Sequence, residues 1–241
     1  MFYPNALNPQ RFGLETSLAF AHSNGCGIFS MCSTVIKSPD SNNKFTSLVT
    51  GDGDGKVRVW LVGSDILSQS NFLCVGVYHS LAAQSEASNH AVTRAKFIND
   101  NILVTDNNQG DIRIWCMELK AHPGRSIGNG LLPELALRHN LMGHHSGSVE
   151  VCINIGSVLV TSGGNDGNLI GWDVLSGTKI GTLSCHRGRK LIHPDTGVRA
   201  IARSPVVDVV LDGNAGRLMC MCRDGTLTEW SFAPANERAN S

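Results

Sequence analysis

Trp60, Trp115, Trp172 and Trp230 are the four tryptophans of this 241-residue chain, and they recur at intervals of 55, 57 and 58 residues. A near-constant interval of that size means that one supersecondary unit is used several times over. The residues ahead of each tryptophan repeat as well. Thr50-Gly51-Asp52-Gly53-Asp54-Gly55-Lys56-Val57-Arg58-Val59 precedes the first, and Thr105-Asp106-Asn107-Asn108-Gln109-Gly110-Asp111-Ile112-Arg113-Ile114 the second. Ser162-Gly163-Gly164-Asn165-Asp166-Gly167-Asn168-Leu169-Ile170-Gly171 and Cys220-Met221-Cys222-Arg223-Asp224-Gly225-Thr226-Leu227-Thr228-Glu229 precede the others. Aligned without a gap, they place a small residue ten before the Trp, an acid (Gln109 in the second) six before and a Gly five before.

Each window reads as a β-hairpin. An apolar run such as Leu48-Val49-Thr50 or Val158-Leu159-Val160 enters a turn carrying Asp-Gly or Gln-Gly, and an alternating strand such as Val57-Arg58-Val59-Trp60 leaves it. Asp-Gly suits that turn because Gly adopts positive φ at no steric cost. The 26 glycines against 8 prolines fit a chain of many tight turns and short strands.

Four hairpins in register resemble the WD-repeat family over almost the whole chain. The third copy is fullest, with Gly143-His144 leading in and Trp172-Asp173 closing it, while Leu61, Cys116 and Ser231 follow the other tryptophans. The resemblance implies an all-β propeller of four four-stranded blades, with residues 1–13 an extension, 14–232 the propeller and 233–241 a polar tail. Outer strands are predicted around Leu73–Tyr78, Leu135–Arg138 and Lys179–Leu183. The tail offers no outer strand for the last blade, and Glu15–Ala21 is the segment that could supply one. Four blades is few for this repeat, so the ring is closed by the chain itself, by self-association or by a blade-donating partner, or else the four blades are an open arc or part of a longer propeller.

The resemblance also implies a buried hydrogen-bonded tetrad in each blade, running from Trp through a hydroxyl and a His to an Asp. By position these are Thr50, Asp54 and Trp60 with His22; His90, Thr105, Gln109 and Trp115; His144, Ser162, Asp166 and Trp172; and Asp224 with Trp230. Gln109 replaces the acid of the second set and Cys220 the hydroxyl of the fourth, which makes those blades the looser pair. Ser162, His144 and Asp166 also have the composition of a hydrolase triad. An active site does not recur once per blade, so no catalytic residue is assigned. His144-His145 and Cys220-x-Cys222 have no second pair at finger-like spacing, and no metal or cofactor is expected.

Intervals above the roughly 40–45 residues of this repeat imply insertions, at Gly63–Ser70, Glu118–Pro133 and Arg187–Thr196. The last carries Arg187, Arg189 and Lys190, a basic loop able to meet an acidic peptide or phosphorylated motif. Propellers of this type commonly bind on the face holding the strand-two to strand-three turns, which nominates Asp52, Asn108, Asn165 and Arg223. Twenty basic residues balance twenty acidic ones, which disfavours nucleic acid or an anionic membrane surface. No run of 18 apolar residues occurs, no secretory leader is expected at the N-terminus, and the eight scattered cysteines point to reduced thiols in cytoplasm or nucleus. The expected function is a scaffold or adaptor without catalysis, binding proteins or peptides. Substrate recognition in a ubiquitin ligase or another complex is the alternative. A channel enzyme and a nucleic-acid factor come behind these.

Overall fold

The computed structural model describes residues 27–37, 44–62, 72–79, 90–122, 131–142, 144–185, 189–192, 199–213 and 216–231. They form seventeen strands in chain order, with no helix among them. The first sheet holds β1 (Ile28–Lys37), β2 (Lys44–Asp52), β3 (Lys56–Val62) and β4 (Phe72–His79). The second holds β5 (Val92–Phe97), β6 (Ile102–Asn107), β7 (Ile112–Ala121) and β8 (Leu131–Leu141). The third holds β9 (Val149–Ile155), β10 (Val158–Gly163), β11 (Asn168–Asp173) and β12 (Lys179–Ser184). A two-stranded ribbon, β13 (Arg189–Ile192) with β14 (Arg199–Ala202), precedes the last sheet of β15 (Val206–Asp212), β16 (Arg217–Cys222) and β17 (Leu227–Ser231). Each large sheet is an antiparallel meander whose strands pair in sequence order.

Alternation explains why the sheets stack. Each strand sends successive side chains to opposite faces, so an aliphatic strand feeds two interfaces at once. Val49, Val57 and Val59 of sheet one meet Val92, Leu103 and Trp115 of sheet two. Val104, Ile112 and Ile114 of sheet two meet Leu159 and Trp172 of sheet three. Val151, Val160 and Leu169 of sheet three meet Val206, Val209 and Leu218 of sheet four, with Trp230 packed against them. Each of these three tryptophans therefore faces the preceding blade. No apolar cluster among the described residues joins sheet four to sheet one.

The described parts of two expected loops are strands. In the Glu118–Pro133 insertion, β7 and β8 overrun the blade and stay paired out to Ala121 opposite Leu131. In the Arg187–Thr196 insertion, Arg189 to Ile192 pairs with Ala202 to Arg199 as a ribbon, so Arg189 and Lys190 stand on a strand and not in a loop. Ile192 and Ile201 supply the β-prone residues that counting charge alone passed over. Residues 1–26, which include His22 and Glu15–Ala21, lie outside the described residues, as do Arg187, the insertion 63–70 and the tail beyond Ser231.

Candidate functional site

In blade one, Trp60 Nε1 donates to Thr50 Oγ1 at 3.0 Å, and in blade two Trp115 Nε1 donates to Thr105 Oγ1 at 2.9 Å. In blade three Trp172 Nε1 donates to Thr161 Oγ1 at 2.8 Å. The Thr161 hydroxyl donates on to His145 Nε2 at 2.8 Å, and Nδ1–H donates to Asp166 Oδ2 at 2.8 Å, the tautomer that satisfies every group. Burial alone raises the Asp166 carboxyl. The bonds from the His145 ring and the Asn168 amide outweigh it and hold the group below the usual carboxylate range.

The gapless alignment points to Ser162 and His144 in those places, and both are corrections. Leu159 faces Trp172 across the hairpin, as Leu48 faces Trp60 and Leu103 faces Trp115. The turn of blade three is one residue longer, so the hydroxyl on the tryptophan's side of the sheet is Thr161. A one-residue slip reverses the face of a strand residue. Ser162 accordingly points the other way and donates to Val206 O of blade four at 3.3 Å. His144 lies exposed, edge-on to the Trp172 ring at 4.8 Å.

Blade four has the same register, with Leu218 opposite Trp230 and Cys220 in the hydroxyl place. A thiol is a weak acceptor, and the buried Trp230 Nε1 finds no oxygen or nitrogen acceptor, with the Cys185 thiol beside it. Burial raises both the Cys185 thiol and the Cys222 thiol, the latter to about 11. These sulfurs are protonated apolar fillers. Among the described residues no group of three His, Cys, Asp or Glu side chains could hold a metal ion.

The turns of blades one and two are closed by Asp52 and Asn107, a role the spacing did not indicate for either. Asp52 Oδ1 accepts from the amides of Asp54 at 3.0 Å and Lys56 at 2.8 Å, and Asn107 Oδ1 accepts from those of Gln109 at 2.9 Å and Asp111 at 3.0 Å. Asp52 Oδ2 also accepts from Arg58 Nη1 at 2.5 Å, and the residue is fully buried. It is therefore a turn-closing acid and not a surface contact, which corrects its nomination. Gln109, two residues further on, is exposed.

A further bond recurs in all four blades. Gly53 N donates to Gly27 O at 3.1 Å, Asn108 N to Ala91 O at 3.2 Å, Asn165 N to Ser146 O at 3.1 Å and Arg223 N to Pro205 O at 2.8 Å. The residue seven before each tryptophan is thus tied by its own backbone to the segment entering its blade. It projects whatever side chain it carries from equivalent points on one rim. Asn108, Asn165 and Arg223 are exposed there, and Gly53 is the blade-one equivalent that Asp52 is not.

Inward of these turns lie groups that motif reading missed. Thr93 Oγ1 donates to Asp106 Oδ1 at 2.5 Å. Burial pushes the Asp106 carboxyl up to about 7 against the pull of Thr93 and Arg94, with Glu150 adding to the rise. Ser148 Oγ donates to Glu150 Oε1 at 3.4 Å, and Arg223 approaches the same oxygen at 3.9 Å. Only a buried, polar strand end flags Asp106, and that needs the register to see. Elsewhere an apolar groove of about 430 Å3 lies between Ile180 and Leu183 of β12 and Leu218 of β16.

No protein-family model matches the chain. Among solved structures, the Cps50 (Swd1) β-propeller domain from Myceliophteria thermophila superposes with a TM-score of 0.53 at 12% identity. The match covers 86% of this chain and 55% of that one. The fold is that of a β-propeller. A chain of the humanized mutant of the Chaetomium thermophilum Polycomb Repressive Complex 2 gives 0.53 at 10% identity, covering 87% of this propeller chain and 39% of that chain. The chain thus spans a little over half of the first structure and about two fifths of the second.

Proposed function

We propose that this propeller is of the WD-repeat type and works as a non-catalytic platform, binding proteins or peptides on the rim formed by Asn108, Asn165 and Arg223. The observation that carries this reading is the fourfold backbone bond at the position seven before each tryptophan, which fixes the rim while leaving its side chains free to differ. Polar groups with the composition of a hydrolase are spent inside the blade. The His145 side chain is fully buried and bonded at both nitrogens, and Thr161 is fully buried. A base so enclosed has no reach to a substrate. The second matched chain belongs to a Polycomb Repressive Complex 2, and membership of a complex suits a platform. Within that reading, recognition of a ligase substrate is a narrower form, and cytoplasm or nucleus is the setting. No helix among the described residues is long and apolar enough to cross a membrane.

The test is affinity capture with the full chain, comparing wild type with Asn108→Ala, Asn165→Ala and Arg223→Glu combined. All three side chains are exposed, so the fold should hold within about 0.5 kcal/mol per site. Loss of the captured proteins by this variant, and their retention by one with Arg187, Arg189 and Lys190 changed to Glu, supports the rim. The reverse pattern moves binding to the basic ribbon. Turnover of a small molecule that Thr161→Val abolishes without unfolding contradicts the non-catalytic reading.

A further inference from the structure

Sheet four is the last described blade, and its far face differs in chemistry from the face by which sheet three receives it. The two sheets share one register, with Thr161 opposite Ile170 as Cys220 is opposite Thr228. Residues can therefore be matched place by place. Val210, Met219 and Leu227 stand where sheet three has Ile153, Val160 and Leu169. Asp208, Asp212 and Glu229 stand where it has Val151, Ile155 and Gly171. Sheet three's face is thus aliphatic, whereas sheet four's is an apolar stripe edged with acid.

The stripe is open. Val210 is 53% exposed, Met219 39%, Met221 42% and Leu227 75%. Among the described residues of this face Asp208, Asp212 and Glu229 are acidic and Arg217 is basic, its guanidinium 3.1 Å from Glu229. A further blade of the sheet-three kind would bury Asp208 against aliphatic groups, and burying a charge against apolar surface is strongly unfavourable. Two unbranched, polarisable methionines on one stripe adapt to varied apolar anchors. We infer that this face docks a partner segment in which bulky apolar anchors alternate with lysine or arginine: the anchors cover Met219, Met221 and Leu227, and the cations meet Asp208 and Glu229. The site is separate from the rim and does not depend on it.

The test pans short random peptides, displayed on phage, against the immobilised full chain and measures binding of the enriched sequences. Two variants report on the two halves of the site: Met219→Glu with Met221→Glu, and Asp208→Lys with Glu229→Lys. All four side chains are exposed, so both variants should fold, which circular dichroism checks. Enriched peptides should carry Lys or Arg beside bulky apolar residues, bind each variant about tenfold more weakly or worse, and weaken with salt. An acid-for-base swap in such a peptide should restore binding to the Asp208→Lys, Glu229→Lys variant, which a merely misfolded variant could not show. Enrichment without basic bias, no enrichment, or equal binding to wild type and variants overturns the inference. So does a dimer that Met221→Glu dissociates, because it gives the face to a second copy. The rim variant should bind these peptides normally, which keeps the two readings apart.

Discussion

Thr161 takes part in two hydrogen bonds at once, accepting from the Trp172 indole and donating to the His145 ring. Thr161→Val keeps the volume but strands the Trp172 indole and the His145 ring, so denaturant unfolding should show a loss of about 1–3 kcal/mol. Ser162→Ala removes one long bond to a carbonyl and should cost less, about 0.5–1.5 kcal/mol. If the order is reversed, the one-residue offset is wrong. Asp106 gives a pH signature. Its folded pKa is raised to about 7, so the folded state holds a proton that the unfolded chain releases near 4. Its contribution therefore weakens as pH rises through that window and is flat above it. Asp106→Asn keeps an acceptor for Thr93 and should gain about 1–3 kcal/mol over wild type at pH 8 and little at pH 4. Asp166 runs the opposite way: its depressed pKa gives stability that is present above about 4 and lost as pH falls further.

The hairpin was the most legible element. Trp-to-Trp spacing, the Asp-Gly turns and the alternation around Val57–Trp60 locate four second and third strands, and Gly55, Gly110, Gly167 and Gly225 do adopt positive φ, at 76°, 89°, 62° and 84°. What spacing could not see is a change in turn length. A single added residue before Leu169 leaves every motif in place while turning Ser162 away and bringing Thr161 in. The same limit hid Asp52, because its role depends on amide directions within the turn and not on distance from the tryptophan. Blade four allows a gain as well as a loss. Cys220→Thr should give the Trp230 indole an acceptor in a site of similar volume and raise stability by about 0.5–1.5 kcal/mol. An unchanged or lowered midpoint in urea would mean that the indole is already satisfied by a neighbouring sulfur.

At the scale of the molecule, three interfaces of aliphatic residues and inward-facing tryptophans link the sheets into one arc, and the sequence repeat made that architecture readable. The asymmetry of its last face was not readable, because Asp208 and Glu229 look like ordinary strand polar residues until the register matches them to Val151 and Gly171. The central claim is that one blade is used four times, tied by a Trp–hydroxyl bond in three copies and lacking it in the fourth. Hydrogen exchange of the four indole N–H protons, followed by NMR, tests it directly. The account predicts slow exchange at Trp60, Trp115 and Trp172 and faster exchange at Trp230, with Thr161→Val releasing Trp172 alone and Ser162→Ala leaving it protected. Four indoles that exchange at one rate, or a Trp172 that responds to Ser162→Ala and not to Thr161→Val, would contradict it.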